Sequence, residues 1–327
     1  MVTQQLFFPR CRERAGWRVS FRFVLVLCSL ELGYISNARA QAIFTTLDVP
    51  GAAGNGTFAF SINSAGAITG NYQDANYVDH AFLRSPAGTF TAFDVPGASS
   101  TYATSINAVG SITGQYTDVN SVVHGFLRSP DGSFTTFDIP GAQAILPESI
   151  NAAGAITGQY FNTINANSDA HGFLRAPDGT FTLFDVPGAG TQVAGGTYAS
   201  SINPAGAITG IYVDADRNDH SYLRAPDGTL TTFDAPGANN GTLAFSINAA
   251  GAITGTFADA NYAYHGFLRS PDGTFTIIDP PGASTGGTLY TQAMSINSAG
   301  AITGLYYTCP SGGSNCMFHG FLWQPGK

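Results

Sequence analysis

Short runs in which apolar and small polar residues alternate recur along the chain, each ended by a turn signal. In one stretch, Thr242–Asn248 reads as a strand and Ala249-Ala250-Gly251 turns it. Ala252–Phe257 returns, a polar loop spans Ala258–Tyr264, and His265–Arg269 is a third run. Pro271-Asp272-Gly273 leads into Thr274–Asp279, and Pro280-Pro281-Gly282 stops it, because proline cannot donate to a strand ladder. Aligned on Ser-Ile-Asn, the same unit starts at Ser61, Ser105, Ser149, Ser201, Ser246 and Ser295, a period of 44 to 52 residues. Six units of four antiparallel strands predict an all-β fold, a six-bladed β-propeller. A β-helix fits less well, since its rungs are shorter.

The two ends sharpen this expectation. Ile43–Ala52 copies the fourth run of a unit, and the last unit stops after its third run, His319–Trp323. Pairing a strand at 43–49 with the last unit would complete its sheet, close the ring and remove two exposed edges.

Three motifs recur in fixed order: Ser-Ile-Asn-x-x-Gly-x-Ile-Thr-Gly, then His-[Gly/Ala/Ser]-[Phe/Tyr]-Leu, then a Pro-Asp-Gly-Thr-Phe-Thr element. In these the chain resembles the HAF-repeat family of probable extracellular repeat proteins, over roughly Ile43 to Trp323. His80-Ala81-Phe82 is the one literal His-Ala-Phe; four units have glycine in the middle and one has Ser221. The resemblance implies an exported repeat protein and brings no settled activity.

Composition narrows the functional classes. The chain is 44% hydrophobic, 10% charged and holds 40 glycines, too apolar for disorder. Six of its 13 basic residues (Arg10, Arg12, Arg14, Arg18, Arg22, Arg39) lie in the first forty positions, and the only lysine is Lys327. The remaining 287 residues carry 7 basic against 19 acidic groups, which argues against nucleic-acid binding. The basic start, the apolar run Phe23–Leu30 and Ala38-Arg39-Ala40 read as a signal peptide over 1–40, cleaved before Gln41. That run is too short to span a membrane. A single propeller domain at 41–327, secreted or periplasmic and monomeric, is the expectation. Cys309 and Cys316 then remain, bracketing a flexible loop, and a disulfide between them fits an oxidising compartment.

Strand direction alternates within a unit, so turns one–two and three–four share one face while loops two–three and four–one share the other. The first pair is tight and glycine-bearing; the second carries the length variation, at 161–170, 188–196 and 307–317. Variable loops on a rigid scaffold are the usual place for binding. All six histidines, His80, His124, His171, His220, His265 and His319, begin third strands at the rim of that face. Acids end most second strands (Asp74, Asp118, Asp214, Asp259) and every complete fourth strand (Asp94, Asp138, Asp185, Asp234, Asp279). A His–Asp set used six times reads first as a hydrogen-bonded lock within each unit, with ligand, metal or catalytic roles as alternatives. Asp214, Asp216 and Asn218 make the loop nearest to a calcium site; Asx-turns account for the same residues without metal, and no other cofactor is implied.

There is no Gly-x-Ser-x-Gly and no His-Glu-x-x-His. After the leader the only glutamate is Glu148, in a first strand, expected as a solvated channel residue or a lone general base. The five repeated arginines (Arg84, Arg128, Arg175, Arg224, Arg269) lie on the tight-turn side and read as packing groups or partners of turn aspartates. These features favour a non-enzymatic binding or scaffold module for an extracellular glycan or protein. The alternatives are an extracellular polysaccharide lyase or hydrolase on the same scaffold, and a structural surface or matrix protein.

Overall fold

The computed structural model describes residues 46–54, 56–163, 169–192, 195–281, 283, 290–308 and 317–326. The leader at 1–40, the start of the closing strand at 43–45 and the Cys309–Cys316 pair lie outside these residues. Every described regular element is a strand. Within a unit the order in the sheet is sequential and antiparallel. Unit two, for example, runs Ser100–Ile106, Ile112–Thr117, Val123–Arg128, Phe134–Phe137. Units one to five have this four-stranded form, and the sixth shows three: Thr291–Ile296, Ile302–Thr308 and Met317–Trp323. The sheets of units two and three are also joined by one parallel bridge, Val123 to Ala144.

Side-chain chemistry explains why these runs hold together. The Ile-Thr-Gly motif opens each second strand. Its threonine hydroxyl donates to the third-strand carbonyl of Phe82, Phe126, Phe173, Tyr222 or Phe267, at 2.7–2.9 Å in units one to five. The pairing of first and second strands slips by one residue, so Phe60, Thr104, Glu148, Ser200, Phe245 and Met294 are extra residues of a β-bulge. The motif glycine sits opposite the bulge. A Cβ on Gly114 would stand 1.9 Å from the carbonyl oxygen of Tyr102, so only glycine allows the approach.

The core lies between units rather than inside them. Among the described residues there are five hydrophobic clusters, and each takes residues from two successive units. In the first of them along the chain, Leu83, Phe93 and Val95 of unit one meet Ala103, Ile106, Ile112 and Phe126 of unit two. Polar groups repeat along the same seams. The Ser-Ile-Asn asparagine donates from Nδ2 to the matching asparagine carbonyl of the next unit, from Asn63 through Asn107, Asn151, Asn203 and Asn248 to Asn297, at 3.1–3.2 Å. Beside it the serine hydroxyl accepts the next unit's isoleucine N–H at 3.2–3.4 Å, as Ser61 does for Ile106. Arginine crosses the same seam: Arg128, Arg175, Arg224 and Arg269 stack over Phe93, Phe137, Phe184 and Phe233 of the preceding unit, 4.7–5.1 Å from the ring centroids. Where unit six has Trp323 in place of that arginine, unit five has Ile278 in place of the phenylalanine.

The two ends differ from this interior. Ile62 is 65% exposed, whereas its counterparts Ile106, Ile150, Ile202, Ile247 and Ile296 are buried. Phe58 and Phe60 of unit one and Met317, Phe318 and Leu322 of unit six are exposed as well. Residues 46–49 carry no strand, and among the described residues the last strand pairs only with its predecessor, so the expected closing pair is not observed. Asp48 and Val49 correspond to Asp94 and Val95, which also follow rather than form a strand. Val49 is nonetheless buried, and its N–H donates to Thr57 Oγ1 as that of Val95 does to Thr101.

Candidate functional site

Antiparallel order places loops two–three and four–one at the same end of every sheet, with the histidines at that end. Each of the five in units one to five uses Nδ1 to bond the aspartate that follows its own fourth strand. The pairs are His80–Asp94, His124–Asp138, His171–Asp185, His220–Asp234 and His265–Asp279, at 2.8–3.0 Å. Since a carboxylate only accepts, Nδ1 carries the proton. The second nitrogen, Nε2, faces another aspartate: Asp74, Asp118, Asp169, Asp214 and Asp259 at 3.4–3.9 Å. The ring also stacks on the aromatic near the end of the second strand, from Tyr72–His80 at 5.3 Å to Tyr306–His319 at 5.1 Å. Each such histidine thus ties loop two–three to loop four–one, the geometry of a lock.

Unit three shows one partner that the sequence pattern missed. Its second strand ends in Phe161 and carries no acid there; Asp169, two residues before the histidine, supplies the carboxylate instead. Its signal was present as an unmatched aspartate beside His171.

Electrostatics follow this geometry. Burial alone would lower His80 and His220. The hydrogen bonds and charges of Asp94 with Asp74, and of Asp234 with Asp214, outweigh it and raise both. Asp214 is held down to about 2, first by the N–H of Asn218. Its Oδ1 accepts from the N–H groups of Asp216 and Asn218, and its Oδ2 from Asn218 Nδ2. The candidate calcium loop therefore spends the oxygens of Asp214 on its own turn. Among the described residues no three His, Cys, Asp or Glu side chains come together as a metal cage.

Clefts lie at the unit seams beside these pairs. One of about 290 Å³ is bounded by His124, Asp138 and the segment Ile139–Ala142, with Ala144 and Ile145 of the next unit. A smaller one of about 90 Å³ lies between His171, Asp185 and Gly196. A third, about 260 Å³, runs from Asp279 and Pro281 to Tyr306 and Trp323. They are at or below the lower end of the range for drug-sized ligands.

Glu148 is neither freely solvated nor fully buried. It is the bulged residue of Ala144–Ile150 and is half-buried. Burial pushes it up to about 7, against a hydrogen bond from Gln159 Nε2 at 3.0 Å that lowers it. Its five bulge counterparts are all uncharged, and it lies apart from the His–Asp pairs and clefts. The arginines are placed as expected, in packing on the tight-turn side.

No helix among the described residues is long and apolar enough to cross a membrane. No family model matches the chain, and no curated protein does. Among solved structures it is similar to a six-bladed β-propeller lectin from Aleuria aurantia, at 17% identity over 83% of this chain and 91% of that one, TM-score 0.45. It is similar also to a streptogramin B lyase, at 17% identity over 74% and 73%, TM-score 0.45. TolB from Acinetobacter baumannii is a third, at 14% identity over 75% of this chain and 58% of TolB, TM-score 0.47.

Proposed function

We propose that the chain is an exported six-bladed propeller of the HAF-repeat type, and that its variable-loop face binds an extracellular glycan or protein. The observation that carries this is the repeated seam cleft rimmed by a locked His–Asp pair, on the face that also bears the variable loops. The ring closes when unit six meets unit one. Ser295 and Asn297 offer the acceptor and donor that every earlier unit offers, and the Ile62 N–H and Asn63 carbonyl are their complements. The exposed apolar residues of the two end units then become a sixth seam. Clefts beside more than one His–Asp pair give multivalent attachment, in which weak single sites add up to firm binding.

The test is retention of the secreted protein on immobilised glycans and on extracellular proteins, with His124→Ala and His171→Ala as variants at two seams. Weakened binding in both supports the reading; a protein that is retained on nothing at any pH refutes it. A second reading rests on Glu148, whose half-buried carboxyl is pushed up to about 7 by burial, the range of a general base or acid. On that reading the protein is a polysaccharide lyase or hydrolase, and Glu148→Gln abolishes cleavage.

A further inference from the structure

Four loops between second and third strands carry a non-glycine residue in the left-handed region: Tyr77 at φ 64°, Ser121 at 64°, Arg217 at 68° and Tyr262 at 59°. Resting on the reading that this face binds a glycan, we propose that Tyr77 and Tyr262 are aromatic platforms that stack on the apolar face of a pyranose ring. A bulky side chain at positive φ is strained, and glycine or asparagine is the ordinary occupant. Here asparagine stands one residue earlier, at Asn76 and Asn261, and tyrosine takes the strained place. Packing does not explain the choice, because Tyr77 is 71% and Tyr262 64% exposed.

The loops are built to hold the tip backbone in place. Asp74 Oδ1 accepts from the N–H groups of Asn76 and Val78, at 2.8 and 2.9 Å, and its carbonyl accepts from the Tyr77 N–H. Asp259 does the same for Asn261, Ala263 and Tyr262. Tyr77 also passes close to the four–one segment: a Cβ on Gly54 would stand 3.3 Å from its Cδ1. A tip whose backbone is already fixed, carrying a side chain with two rotatable bonds, loses little freedom on binding.

The surroundings select the ligand class. The tips read Asp-Ala-Asn-Tyr-Val and Asp-Ala-Asn-Tyr-Ala; the aspartate oxygens are spent on the turn, and the asparagine amide groups stand next to the rings. A pyranose presents C–H groups on one face and hydroxyls on its edge, which matches a ring flanked by such groups. A protein partner would call for a contiguous apolar centre, and the tips lack one. Ser121 and Arg217 keep the backbone shape without the ring, which confines stacking to units one and five.

The experiment uses the full secreted chain on a panel of immobilised galactosyl, glucosyl, mannosyl, fucosyl and N-acetylglucosaminyl conjugates. The variants are the double substitutions of Tyr77 and Tyr262 to Phe, to Ala and to Gly. The wild type and the Phe pair bind, while the Ala and Gly pairs lose about ten-fold or more. The Gly pair melts at or above the wild-type temperature, since glycine takes positive φ freely. An Ala pair that binds as the wild type does overturns the platforms and leaves the face reading standing. Loss of binding in the Phe pair overturns stacking, because it assigns recognition to the hydroxyl. A wild-type chain that binds no sugar, or binds only protein, overturns the platforms together with their glycan premise.

Discussion

Asn297→Ala, set beside Asn151→Ala, measures whether the ring closes. Asn151 is buried and makes three hydrogen bonds: Nδ2 to the Asn203 carbonyl, and Oδ1 from the N–H groups of Ala153 and Ala155. Its removal leaves the enclosed Ala155 N–H unpaired, at roughly 1–3 kcal/mol, while the Asn203 carbonyl keeps the Gly206 N–H. Water partly serves the Ala153 N–H, so about 2 kcal/mol is expected in total, a fall in Tm of about 4–8 °C for a domain of this size. Asn297 bonds Ala299 and Ala301 in the same way but stands exposed at the end of unit six. With the end open, its truncation costs about 1 kcal/mol, because water replaces both turn bonds. In a closed ring it donates to the Asn63 carbonyl inside a sixth seam, and its loss approaches that of Asn151. Differential scanning calorimetry of both variants is the assay. A Tm that falls for Asn151→Ala and barely moves for Asn297→Ala refutes closure. No change in either refutes the ladder itself.

Three further outcomes follow from the geometry. Glu148 holds its proton more tightly folded, near 7, than unfolded, near 4.5, so wild-type stability declines as pH rises across that window and levels off above it. Glu148→Gln should match the wild type at pH 4 and exceed it by roughly 3 kcal/mol at pH 8, read by urea unfolding; equal curves at pH 8 would show that burial does not raise the carboxyl. For His220, raised above its usual range, the contribution is complete below pH 6.5 and fades as pH rises through the raised value. The Tm deficit of His220→Ala should therefore be larger at pH 5.5 than at pH 8.5, and a deficit that grows with pH contradicts the lock. Gly114→Ala drives a Cβ against the Tyr102 carbonyl and should cost roughly 3–5 kcal/mol, with secondary structure in that sheet disturbed by circular dichroism.

Strands and their limits were legible because alternation and turn residues are local signals. Thr242–Asn248 was expected and Thr242–Ile247 is found; His265–Arg269 was expected and Tyr264–Arg269 is found. The histidine lock could be anticipated because its aspartate lies 14 residues away, across one hairpin. What stayed hidden acts across seams. Asn151 reads as a turn residue, and nothing local shows that its amide reaches Asn203, 52 positions on. Gly114 lies inside an alternating run, where its need for space comes from a bulge on the neighbouring strand. How far Glu148 is covered depends on how strands stack, and periodicity carries no record of that.

The arginine–phenylalanine stack has a consequence for how such a chain changes over time. Arg128 and Phe93 belong to different units, as do Trp323 and Ile278, which replace such a pair together at the last seam. The inherited module is therefore the seam, half from each neighbour. Recombination that cuts at a Ser-Ile-Asn boundary would part each matched arginine and phenylalanine, whereas a crossover in the turn between third and fourth strands would carry the pair across intact.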